Sequence, residues 1–223
     1  DLAHYHHGND SGWDNATVFD QGGVVESADL AAFLVLQMRE LAALAPLAGK
    51  PDAARCWNDR AQLMLTALIE QLWTDGRFAA RAVASGRTVN GSSLLGLMPI
   101  ALGDLLPPEI HTALADRIRQ HLTPYGLATE LTTSPHYEAD GYWRGPIWAP
   151  ATVLIEDGLR RAGHTRLADE ISQRFQELCE VSGFAENFDA LTGAGQRDRA
   201  YTWTASGYLI LAAAAERRRG NPG

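Results

Sequence analysis

The chain has 223 residues, 46% of them hydrophobic, which is enough to bury one substantial core, and a single catalytic domain over 1–223 is expected. A formal net charge of -8 with no Lys/Arg block argues against a nucleic-acid partner, because affinity for a phosphate backbone rests on clustered cations. No stretch reads as apolar and charge-free enough to span a bilayer, and Asp1-Leu2-Ala3-His4 lacks the layout of a secretory leader, so no membrane partner and a cytoplasmic location are the default expectations.

In chain order, Leu30, Phe33, Leu34, Met38, Leu41 and Leu44 recur at three- and four-residue steps, so Ser27 to Leu47 reads as an amphipathic helix stopped by Gly49 and Pro51. A second helix follows at once, with the stripe Trp57, Ala61, Met64, Leu65, Leu68 and Leu72 and with Asp52 placed to cap its first turn. From Thr74 to Val89 the period is lost, and the turn signals Asp75-Gly76 and Ser85-Gly86 predict a long loop or a small hairpin. A short helix from Ser92 to Leu102 ends at Gly103, and another runs from Pro107-Pro108 to Leu122. After an irregular stretch over 123–145, Pro146 opens a helix closed by Gly163, and Thr165 caps the next, which carries Leu167, Ile171, Phe175 and Leu178 to Gly183. A third irregular stretch covers 184–201, and a last helix runs from Thr204 to Arg219, where the run Arg217-Arg218-Arg219 complements the helix dipole. Cys56 and Cys179 fall inside helical patterns and are expected as buried free thiols.

With no convincing strand run, the fold class is all-α, built of antiparallel helical hairpins. Short turns join the helices in pairs. If the helices alternate up and down, the opening segment and the three long stretches share the opposite end, where a rigid scaffold usually carries its function.

Those stretches have a common chemistry. The opening segment reads Gly12-Trp13-Asp14-Asn15, the second loop Asp140-Gly141-Tyr142-Trp143-Arg144-Gly145-Pro146-Ile147-Trp148, and the third Ala185-Glu186-Asn187-Phe188-Asp189. Aromatic faces stack on the C–H side of a pyranose, while carboxylates, amides and Arg take its hydroxyls, so the mixture suits a sugar. Glycoside hydrolysis needs two carboxyl groups, one protonated and one ionised. Asp14 and Glu186, each with an aromatic close by in the sequence and followed directly by Asn, are the chosen pair. Asp10, Glu26, Glu130, Glu138, Asp140 and Asp189 are rivals expected to be solvated or bound to backbone. His4, His6 and His7 lack the spacing of a metal site, no Gly-x-Ser-x-Gly elbow is present, and Gly193-Ala194-Gly195 is too short for a dinucleotide fingerprint.

At these residues the chain resembles the family 63 glycoside hydrolases and the bacterial mannosylglycerate-hydrolase-like proteins. Gly12-Trp13-Asp14-Asn15, Tyr142-Trp143-Arg144-Gly145-Pro146-Ile147-Trp148, Glu186-Asn187-Phe188 with Thr192-Gly193, and Tyr201-Thr202-Trp203-Thr204 carry the resemblance in order. It implies part of an (α/α)6 toroid of the six-hairpin glycosidase type, with Asp14 as general acid and Glu186 as general base of an inverting hydrolase acting on α-linked glucosides, mannosides or similar small glycosides. By the same resemblance Trp13, Asn15, Trp143, Arg144, Gly145, Trp148, Asn187 and Trp203 line the glycone pocket. No cofactor and no metal are implied; the partner is a carbohydrate substrate. A complete toroid has twelve helices, against about seven here, so the chain reads as the C-terminal half to two-thirds of the barrel. Uncovered helix faces then call for a missing N-terminal segment, a second chain or self-association. The rival readings are a trehalase-like or debranching hydrolase of the same fold, a lyase, against which Glu186-Asn187-Phe188 argues, and a non-catalytic carbohydrate-binding or protein-binding helical module.

Overall fold

The computed structural model describes residues 2–220; Asp1, with which the leader reading begins, lies outside the described residues. Its helices are α1 (Ala28–Leu47), α2 (Pro51–Leu72), a 3-10 segment (Leu94–Leu105), α3 (Pro108–His121), α4 (Ala149–Arg161), α5 (Thr165–Ser182) and α6 (Thr202–Gly220). They form two layers. In the inner row α1, the 3-10 segment, α4 and α6 pack one against the next, while α2, α3 and α5 cover α1, the 3-10 segment and α4 from outside. Every inner element therefore begins where a long irregular stretch ends, so those stretches meet on one rim, as the helix parity predicts.

Several boundaries and faces differ from the sequence reading. On α2 the expected stripe is buried, with Ala61, Leu65, Leu68 and Leu72 in the core, and it leaves Cys56 on the opposite flank, exposed; Cys179 is buried. On α1 the buried face is the small one, Ala28, Ala31, Ala32, Val35, Ala42 and Ala45, which lets neighbouring backbones approach closely. The larger Leu30, Phe33, Leu34, Met38 and Leu41 are only half-buried, and Leu44 is 54% exposed. By length and composition alone this helix, with a mean hydropathy of 1.5, passes as a membrane span, contrary to the expectation that no stretch would. Lys50, not Asp52, precedes α2, and Pro51 takes the first turn. His164, not Thr165, stands at the cap of α5. The helix expected from Pro146 starts three residues later, because Ile147 is held extended between Ala128 and Phe188.

Short strands, most of them unforeseen in the sequence, tie the irregular stretches together. Strands β1 (His4–Tyr5), β2 (Val25–Glu26), β5 (Ala80–Ala82) and β6 (Thr88–Val89) form one antiparallel sheet in the order β1-β2-β5-β6, with Val25 opposite Ala82. The anticipated Asp75-Gly76 hairpin joins β3 (Trp73–Thr74) to β4 (Arg77–Phe78), both turn residues having positive φ as a two-residue hairpin loop requires. A last pair, β7 (Asn187–Phe188) and β8 (Gly195–Gln196), shapes the third stretch.

Where the inner row is tightest, α4 lies directly on the 3-10 segment at Gly158, and an added methyl there would overlap the Ile100 carbonyl, which is backbone and cannot rotate away. Gly158→Ala is thus expected to lower unfolding free energy by about 1–3 kcal/mol through overpacking, despite alanine's better helix propensity. Denaturant unfolding reads this directly, and an unchanged or raised midpoint would show that the two helices have room to separate.

Candidate active site

Asp14 lies in the turn between two short 3-10 segments, Gly8–Ser11 and Thr17–Phe19, and Glu186 immediately precedes β7. Both are half-buried. Gly8 allows the Asp14 turn to close, since a side chain there would overlap the Asp14 carbonyl. Glu186 is held by its backbone, whose N–H donates to the Asp198 carbonyl at 2.7 Å.

The rival acids have other work. Asp10 accepts from the His6 and His7 N–H groups, Glu26 pairs with Arg81, and Asp189 accepts from the Leu191 and Thr192 N–H groups. Asp140 pairs with Arg197 at 2.8 Å. Buried Glu130 accepts from the Thr17 hydroxyl at 2.9 Å and from the Ser92 hydroxyl. Glu138 is exposed. Among the described residues, the side chains of Asp14 and Glu186 enter no hydrogen bond or ion pair. A carboxylate left without partners on a crowded rim is available to a substrate.

The charges of both acids are felt at one phenol. Burial first, and then the charges of Asp14 and Glu186 with a smaller effect of Tyr201, push the Tyr142 hydroxyl above its usual pKa, while Arg197 works the other way. Around Tyr142 stands an aromatic wall. Trp13 tilts against Trp143 with ring centres 4.4 Å apart, Trp143 stacks on Trp148 at 4.2 Å, and Trp148 meets Tyr142 and Trp203 edge-on at 5.0 and 5.5 Å. The Trp148 indole N–H donates to the Tyr142 carbonyl at 2.8 Å, so even the innermost ring is satisfied.

Several residues expected to line the pocket are spent on building it. The Asn15 amide donates to the Gly141 carbonyl and accepts from the Trp143 N–H, both at 3.0 Å, which joins the opening segment to the second loop. Arg144 clasps Asp20 through both nitrogens, and that hydrogen bond, against some desolvation, raises its pKa. Gly145 is fully enclosed, where a side chain would overlap the Glu138 carbonyl. Asn187 is buried with its Oδ1 accepting from Arg197 at 3.0 Å. Trp13, Trp143 and Trp148 are 6%, 3% and 0% exposed, so they form the wall's body; Trp203, at 38%, offers an open face. With Tyr201 and Asp198 it borders an open groove of about 530 Å³. A slightly larger hollow, about 590 Å³, lies outside this rim between α5 and α6, and neither hollow has Asp14 or Glu186 in its lining.

Tyr142 and Arg197 were not among the expected site residues. Each has a left-handed backbone, φ 63 and φ 60, a conformation that costs an L residue about 1–2 kcal/mol and marks sites where the surroundings impose it. No group of three or more potential metal ligands lies together among the described residues.

A two-layer helical array with carbohydrate-suited aromatics and two unpaired acids on one rim is the architecture of the six-hairpin glycosidases. The fold matches a family 63 mannosylglycerate hydrolase from Thermus thermophilus, solved in complex with glucose, at TM-score 0.83 and 23% identity, over 96% of this chain and 62% of that one. It also matches neutral trehalase Nth1 of Saccharomyces cerevisiae at TM-score 0.73 and 18% identity, over 94% of this chain and 42% of that one. In sequence it is 27% identical to mannosylglycerate hydrolase MGH1 of Selaginella moellendorffii over 68% of this chain, and spans about a third, 31%, of that relative. Residues 1–204 match the mannosylglycerate hydrolase MGH1-like glycoside hydrolase domain, and the chain belongs to that family.

The second loop that carries Tyr142 is anchored below by His121, whose ring Nδ1 donates to the Ala128 carbonyl at 2.9 Å. Burial pushes His121 down to about 4, against a partial pull upward from the Ala128 carbonyl and Glu130. The folded protein thus holds it neutral while the unfolded chain binds a proton near pH 6.5. Stability should be unaffected by this group above about pH 6.5 and fall as pH drops toward 4, by on the order of 3 kcal/mol in all. Unfolding midpoints measured from pH 7 to 4 should show a steeper fall for the wild type than for His121→Asn. Parallel slopes would exclude the histidine as the cause.

Proposed function

We propose that this chain carries the acid and base of an inverting glycoside hydrolase, with Asp14 as general acid and Glu186 as general base, acting on an α-linked mannoside or glucoside with a small aglycone. The observation that carries it is the freedom of these two half-buried carboxylates on a rim where the neighbouring acids are bound or exposed, together with their shared influence on Tyr142.

In this reading the protonated Asp14 gives its proton to the glycosidic oxygen as the bond to the anomeric carbon breaks. Glu186 takes a proton from a water whose oxygen attacks that carbon from the opposite face. The product sugar has inverted configuration, and exchange with solvent returns both carboxyls to their starting states. Such a displacement works when the two carboxyls stand roughly 6.5–9.5 Å apart, leaving room for the water. The open face of Trp203 and the adjoining groove suit the sugar's C–H side, while Asn15, Arg144 and Asn187 keep the wall in register around it. Substrate type is taken from the relatives, which are named for mannosylglycerate. The trehalase fold likeness keeps an α,α-linked disaccharide as the second reading, to be separated by a panel of α-glycosides. The apolar residues left exposed on the first two helices and the last, Leu44, Leu47, Leu63, Leu209 and Ile210, suit contact with further helices of a longer protein.

In the full-length protein, Asp14→Asn and Glu186→Gln should each reduce kcat by about 100-fold or more, in the range lost when an acid or base catalyst is removed, with the unfolding midpoint little changed. Substrates with a good leaving group should restore Asp14→Asn more than Glu186→Gln, because they need less protonation. Ordinary turnover in either variant would remove that residue from the mechanism.

A further inference from the structure

Arg197 has no step in the reaction above, yet its guanidinium reaches both flanks of the site. It donates through Nη1 to Asn187 Oδ1 at 3.0 Å and lies 2.8 Å from the Asp140 carboxylate. Through Nη2 it donates to the Asp140 carbonyl at 3.2 Å, and its Cζ stands 5.0 Å from the centre of the Tyr142 ring. Asn187 follows Glu186 in the chain, and Tyr142 is the phenol on which both acids bear.

The local backbone puts Arg197 beside the base. Asn187 pairs with Gln196 across β7 and β8, and the Glu186 N–H donates to the carbonyl of Asp198, so Glu186 and Arg197 lie next to each other at the end of the ladder. Gln196 reinforces the seam by donating to the Ala139 carbonyl at 2.9 Å. At φ 60 the position favours glycine, and the contacts of the arginine side chain are with the two loops of the site. The Asp140 carboxylate balances its charge, which fits a clamp better than a receptor for an anion.

We propose that Arg197 is a positioning residue of the hydrolytic site: its guanidinium fastens the Glu186 strand to the 140–142 segment and so sets where the base stands relative to the acid. The inference rests on the reading of Glu186 as the base. An inverting reaction leaves space for a single water between base and anomeric carbon, and displacement by an ångström is enough to cost much of the rate.

Arg197→Gly separates this role from a structural one, because glycine relieves the left-handed backbone while removing the clamp. In the full-length protein acting on an α-glycoside, its unfolding midpoint should hold or rise while kcat falls about 10- to 100-fold and KM stays within about threefold. Arg197→Lys, which keeps the charge without the planar fork, should recover part of kcat. Asp140→Asn should lower kcat in the same direction, and the double variant should be no slower than Arg197→Gly alone. Wild-type kcat in Arg197→Gly beside an inactive Glu186→Gln overturns the arginine's role and leaves the base standing. A kcat loss matched by a fallen midpoint reduces it to a fold contact and overturns it equally. Normal turnover in Glu186→Gln overturns the base assignment instead, whatever Arg197→Gly does.

Discussion

Two acids that must stay free of partners can be held near each other only if the polar groups around them are bound elsewhere, since an unspent carboxylate takes any donor within reach. Much of this rim serves that constraint. Asn15 gives both halves of its amide to the second loop, Arg144 is taken up by Asp20, and Arg197 by Asp140 and Asn187. The backbones of Ile147 and Phe188 exchange hydrogen bonds at 2.7 and 3.1 Å, closing the second loop against the third. The Asn15 amide and the guanidinium groups of Arg144 and Arg197 are thereby engaged with the scaffold, while Asn187 Nδ2, on the residue next to Glu186, is buried without a partner.

The scaffold contributes by direction. The inner elements α1, the 3-10 segment, α4 and α6 all start at the rim, so the irregular stretches that precede them are gathered without any long-range device beyond helix packing. Short strands then lock the gathered segments in place: β2 brings the opening segment to β5, and β7 receives the Ile147 backbone. The aromatic wall fills the space between, and its most buried members, Trp143 and Trp148, stack almost parallel at 8°. Such rigidity suits chemistry that depends on where a water sits between two carboxyls.

Much of this was legible in the residues because helix periodicity and turn chemistry are local. The helices, the turn signal at Asp75-Gly76 and the family's motifs are each patterns within a few residues, and the shared rim follows once the helices alternate in direction. What escaped was set by contacts distant in sequence. The alanine face of α1 is buried because α2 and the 3-10 segment approach closely, and a hydrophobicity pattern favours the larger Leu and Phe side chains instead. The late start of α4 follows from Ile147 pairing with Phe188, invisible beside the helix-opening signal of Pro146. Asn15, Arg144 and Asn187 were expected to line the pocket, and the folded chain shows their side chains binding the loops to each other. Arg197 had no signal at all, since nothing in Gly195-Gln196-Arg197-Asp198 announces a left-handed arginine.

The account turns on a water standing between Glu186 and the sugar, opposite Asp14. The stereochemistry of the sugar first released tests it most directly. Followed by proton NMR before mutarotation, hydrolysis of an α-glycoside by the full-length protein should give the β-anomer first, with the α-anomer growing in later at the spontaneous rate. An α-anomer appearing first would mean a covalent intermediate and a retained configuration, and would contradict the assignment of Glu186 as a base acting through water.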